Sequence, residues 1–161
     1  MLKILWLAAT DSGAPSTRMP APLRAPLAAL QDLLLLLARL FVAKAFFLSG
    51  LTKLRDWDIT LALFQDEYQV PWLPPELAAY AGTAGELLLP VLLALGLGAR
   101  FGAAGLFVLN FVAVLSLADI APAALAQHQL WGVLLLAVWV WGPGRASADC
   151  MLFNRRFNRS N

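Results

Sequence analysis

Four apolar stretches of membrane-crossing length, joined by short polar segments, constrain this chain more than any other feature. A helix needs roughly 20 predominantly apolar residues to cross a bilayer, and such stretches run over about 27–54, 76–97, 101–120 and 123–141. With 60% of its 161 residues hydrophobic and 14% charged, the chain carries more apolar surface than one soluble core of this size buries, so lipid is the natural solvent for the remainder. The expected fold class is all-α, a polytopic membrane four-helix bundle. A re-entrant segment is the alternative for the fourth stretch, whose first half is diluted by Gln127, His128 and Gln129.

The organisation follows from these stretches. Residues 1–26 are expected to form a flexible arm: Ile4 to Ala9 is too short for a signal core, and Pro15, Pro20, Pro22 and Pro26 break up the residues after it. Residues 27–143 form the membrane domain and 144–161 a basic tail. Between the first two stretches, Trp57, Ile59, Leu61, Leu63 and Phe64 predict a short interfacial helix before Pro71, Pro74 and Pro75.

Lys3, Arg18 and Arg24 precede the first stretch, Arg100 lies between the second and third, and Arg145, Arg155, Arg156 and Arg159 come after the fourth. The positive-inside rule then expects both termini to be cytoplasmic. Lys53 and Arg55 dissent; with Asp56 and Asp58 beside them, they read as paired or snorkelling.

The function classes left open are few. A net charge of +2 with scattered basic residues gives no nucleic-acid footprint. Cys150, the single cysteine, rules out an internal disulfide, a CxxC redox pair and a multi-thiolate metal site. The serines lie far in sequence from the one histidine, and no two carboxylates share a helix face for acid–base work, so neither a catalytic constellation nor a metal site is expected. No paired histidines or nucleotide-binding glycine motif point to a resident cofactor; a quinone is the one group left open.

Ionisable residues inside a bilayer usually face the bundle interior and pair. Counting 1.5 Å per residue from the cytoplasmic side, Arg39 falls roughly 13 Å deep and Glu86 roughly 16 Å. They are expected to form an ion pair, with Lys44 as the competing partner and Asn110 completing the network. Pro90 leaves the Glu86 carbonyl without its helical donor. Such a network suits structural glue, a small-molecule or quinone site, or a proton path. His128, towards the far end of the fourth stretch, is the expected quinone or ligand contact.

At these residues the sequence resembles the DoxX family of four-helix membrane proteins. The resemblance rests on RLFVAKAFFLSGLTKL from Arg39, GELLLPVLLALGLGARFGA from Gly85, and WGPGRASAD from Trp141, which is similar to that family's closing Gly-Pro-Gly…Ser…Asp signature. It marks Arg39, Gly50, Lys53, Glu86 and the Gly142-Pro143-Gly144 turn as family positions. The segment from Asp56 to Tyr80 resembles the branch associated with maturation of copper-binding, ribosomally made peptides, the bufferins. The resemblance implies a multi-pass protein of the bacterial inner membrane, in contact with lipid and with peptide-modifying partner proteins, that assists maturation or export of such a peptide under metal stress. Other relatives are associated with a thiosulfate:quinone oxidoreductase, which implies instead a quinone-linked subunit beside an oxidoreductase partner. A small transporter is the third reading, and it would need a homo-oligomer because four helices leave little room for a path.

Overall fold

The computed structural model describes residues 21–117 and 119–157, with side chains for 25–117 and 119–152. Among the described residues six helices succeed one another: α1 (Ala21–Arg55), α2 (Trp57–Asp66), α3 (Pro75–Leu95), α4 (Ala99–Ser116), α5 (Pro122–Trp141) and α6 (Ala148–Phe157). Four of them carry segments long and apolar enough to cross a membrane: Ala25–Arg55, Pro75–Leu95, Ala99–Ser116 and Pro122–Trp141. The fourth span is a continuous helix. Of the expected arm, 1–20 lies outside the described residues, while 21–26 is helical and opens α1; residues 158–161 of the tail also lie outside.

The spans close a ring in which α1 packs on α3, α3 on α4, α4 on α5 and α5 back on α1. Leu35, Val42, Phe46, Leu93, Ala103, Leu106, Leu135 and Val138 fill its middle. Leu37, Leu88, Phe101, Val108, Phe111, Val133 and Trp139 point outward. That arrangement suits a hydrocarbon solvent, because an outward leucine loses nothing in lipid and interior packing supplies the specificity. Leu89 lies against Gly105 and Leu109 against Gly85; a Cβ at either glycine would sit under 3 Å from the facing leucine.

The bundle has two unlike ends. The near end holds the start of α1, the α3–α4 turn and the segment after α5; the far end holds α2 and the remaining loops. At the far end α2 is capped by Asp56, whose carboxylate accepts from the Ile59 N–H at 3.2 Å. It packs Phe64 against Ala78 and Ala79 of α3. The third span was expected to reach 120, but its helix stops at Ser116. There Leu117 turns extended and forms an antiparallel bridge with Tyr68, while the Gln69 N–H donates to the Ser116 carbonyl at 2.9 Å.

At the near end the Gly-Pro-Gly…Ser…Asp segment is a lock. Both carboxylate oxygens of Asp149 accept from the first N–H groups of α4, Gly98 at 2.9 Å and Ala99 at 3.1 Å, which satisfies donors that a helix start leaves open. Ser147, 2% exposed, caps α6 by accepting from the Cys150 N–H. Asp32 of α1 accepts from the backbone N–H of Arg145 at 3.0 Å and from its guanidinium at 2.6 Å; this contact holds the Arg145 pKa above its ordinary value.

Candidate functional site

Arg39 does not pair with Glu86. It is 1% exposed and donates to four carbonyls: Leu93 at 2.9 Å and Ala94 at 2.8 Å in the last turn of α3, Pro143 at 2.6 Å and Ala146 at 3.1 Å in the near-end lock. The last carbonyls of a helix lack intrahelical donors and carry the negative end of its dipole, so a buried guanidinium with its five N–H groups suits them well. Gly96 makes room: at φ 69° it turns the chain, and a Cβ there would lie 2.7 Å from Arg39 Nη2. The depth count misplaced Arg39 because α1, with 35 residues against 21 in α3, overshoots the bundle at the near end. Lys44 is no competitor either. It is exposed on the outer surface of α1, about five residues or roughly 8 Å along the helix from Arg39, and its stem can carry the ammonium towards the near-end interface.

Glu86 is instead held by Lys53. The Lys53 ammonium donates to Oε1 at 2.6 Å and to Oε2, and to Ser49 Oγ at 3.3 Å; the two side chains are 20% and 13% exposed. The pair depends on Gly50, where a Cβ would meet Leu87 at 2.9 Å and the Glu86 Cβ at 3.1 Å. Lys53 was one of the two dissenting charges of the sequence, and its signal was that it, like Glu86, is a family position.

The register of the glycines puts more polar groups at this level. Gly85, beside Glu86, faces Leu109, so Asn110 of α4 belongs to the same layer. Asn110 binds α5 twice: its amide donates to the His128 carbonyl at 2.9 Å, and its Oδ1 meets His128 Nδ1 at 2.8 Å. His128 meets Trp131 edge-on with centroids 5.0 Å apart, and Trp131 packs on Phe46 of α1 at 5.4 Å. All four spans thus contribute polar groups to one layer in the far half of the bundle. Of the residues expected to act together, Glu86, Asn110 and His128 lie in it, while Arg39 and Lys44 do not.

Two further buried polar atoms belong to this layer; the sequence marked Trp131 only as a member of an interfacial aromatic belt and did not mark Thr83. The hydroxyl of Thr83, one turn before Glu86, and the indole N–H of Trp131, one turn after His128, have no hydrogen-bond partner. Each unsatisfied buried group costs about 1–3 kcal/mol, and both atoms are covered by protein. Above it sits Tyr68, edge-on to Phe64 at 5.0 Å. Burial raises its phenol pKa above the ordinary value, and the charges of Glu67 and Glu86 add to the rise. Among the described residues no three of His, Cys, Asp and Glu converge as a metal site would require.

The DoxX family model matches residues 34–119, from within α1 to just past α4. No curated protein and no solved structure matches the chain. The matched region is more than half of the sequence and holds Arg39, Gly50, Lys53, Glu86 and Asn110, so the chain belongs to the DoxX family of membrane proteins.

Proposed function

We propose that the chain is an accessory protein of the bacterial inner membrane that assists maturation or export of a copper-binding modified peptide and leaves the chemistry to partner proteins. The supporting observation is Trp72. It is 99% exposed and has φ 63°, positive for a non-glycine residue, in a loop bounded by Pro71, Pro74 and Pro75. Asp56, Asp58, Asp66, Glu67 and Glu76 are exposed on the same end. A large aromatic held in a sparsely populated conformation suits a docking anchor, and acidic neighbours suit a partner with basic residues. The test is copper tolerance of cells carrying Trp72→Ser, with membrane abundance of the protein measured in parallel. Normal abundance with tolerance lowered to the deletion level is expected; a deletion strain as tolerant as the parent would sink the reading.

A second reading, a membrane subunit of a quinone-linked oxidoreductase, is favoured by the polar layer. The Lys53–Glu86 pair places an ammonium and a carboxylate in the far half of the bundle, groups that suit the oxygens of a quinone head group. A bound quinone would supply electron storage; these residues would bind and orient its head.

A further inference from the structure

Two faces of α5 differ in what covers them. Gly132, Leu135 and Val138 are buried in the bundle, while Ala126, Gln129, Val133, Leu136 and Val140 are exposed. The exposed five recur at intervals of three and four residues, so they form one stripe, which runs roughly 21 Å along the helix at 1.5 Å per residue. No other span is covered so little by its own chain: 17% of α5 is buried, against 28–39% for the other three. Gln129 interrupts the apolar character of the stripe. It lies seven residues past Pro122, the first residue of α5, roughly 10 Å in from the far end, and makes no hydrogen bond among the described residues. An amide without a partner is costly in hydrocarbon, and glutamine lacks the long stem by which a lysine reaches the interface.

We propose that this stripe is the interface between two copies of the chain, paired in the same orientation about a two-fold axis along the membrane normal. Such an axis sets each position against its own counterpart, so Gln129 meets Gln129 of the partner subunit. A carboxamide carries both donors and an acceptor; the two amides satisfy each other across the axis, which neither a lipid chain nor an apolar helix can do. Ala126, Val133 and Val140 occupy one position of a heptad, and Gln129 and Leu136 the other. The small and β-branched set lets the helices approach closely, and the single polar residue fixes their register. Charge excludes the outward face of α1 from the same role. There Lys44 lies in line with Leu37, Phe41 and Leu48, all exposed, and a two-fold axis would set two ammonium groups together in lipid. Gln127, also exposed, is off the stripe and nearer the far end. The interface stands independently of both functional readings.

The full chain in a Cys150→Ser background is reconstituted at large lipid excess in phosphatidylcholine vesicles, with one cysteine added by Val133→Cys in the stripe or by Val108→Cys on the outward face of α4. Oxidation with copper phenanthroline should link Val133→Cys into covalent dimers and leave Val108→Cys monomeric. Sedimentation equilibrium of the unaltered chain in detergent should show a reversible dimer. Gln129→Leu should raise its dissociation constant about three- to tenfold, the scale of one or two interhelical hydrogen bonds in a membrane, and Gln129→Asn, which keeps an amide, should raise it less. Equal linking at the two positions overturns the interface, as does a chain that stays monomeric at every concentration; neither result relies on a Gln129 variant folding. A dimer whose dissociation constant ignores Gln129→Leu overturns the amide pairing that carries the proposal.

Discussion

Arg39 and Lys53 are both basic residues on α1, yet the structure uses them oppositely. Arg39 satisfies four carbonyls and meets no carboxylate directly, whereas Lys53 meets Glu86. Energetic coupling separates these arrangements, because residues that share no partner add while contacting pairs do not. Arg39→Leu should destabilise by about 1–3 kcal/mol for each buried carbonyl it leaves without a donor. Combined with Glu86→Gln, it should be additive within about 0.5 kcal/mol, and Lys53→Met with Glu86→Gln should couple by about 0.5–3 kcal/mol. Denaturation of the purified variants in detergent measures both; coupling of Arg39 with Glu86 would contradict the geometry. Tyr68 supplies a pH signature. Its phenol pKa is raised in the fold, chiefly by burial, so the folded state favours the neutral form. That contribution is complete below the ordinary phenol value of 10.0 and is lost as pH rises through the higher native value. Thermal stability measured from pH 9 upward should therefore fall more steeply in the parent than in Tyr68→Phe.

At the scale of elements, helix ends carry much of the specificity. Asp149, in the first turn of α6, closes the start of α4, and Ser147 closes α6 itself, so α4 depends on another helix for its cap. Asp149→Ala should cost about 1–2 kcal/mol, since two N–H groups lose a charged acceptor. Asp149→Asn should recover part of this through one amide oxygen, as melting temperatures would show. The far end works by backbone pairing instead: Leu117 leaves the helix to bridge Tyr68. This explains why the third span is shorter than its apolar stretch. The apolar run continues past Ser116, but the extended segment at Tyr68 and Gln69 competes for its backbone.

For the whole molecule, the near end carries the start of α1 and the segment after α5, so residues 25 and 150 lie on one side of the bundle and Trp72 on the other. Cytoplasmic termini remain the expectation from Lys and Arg placement, and the lone cysteine makes a clean test. In intact cells a membrane-impermeant maleimide should leave Cys150 unlabelled and should label Trp72→Cys in a Cys150→Ser background; the reverse pattern would invert the orientation. The sequence alone determined the apolar solvent, the number of spans, the short helix between the first two and most of the residues worth watching. Each of these is a property of a contiguous segment: its hydrophobic length, its punctuation, or a charge where lipid penalises one. Which polar groups meet was decided only by tertiary structure. Pairing depends on helix register, and register is set by how far α1 overshoots and by Gly50 and Gly85 admitting close neighbours, so that Arg39 slides to the end of α3 and Lys53 reaches Glu86. No single segment contains that offset; it exists only once the four helices have packed.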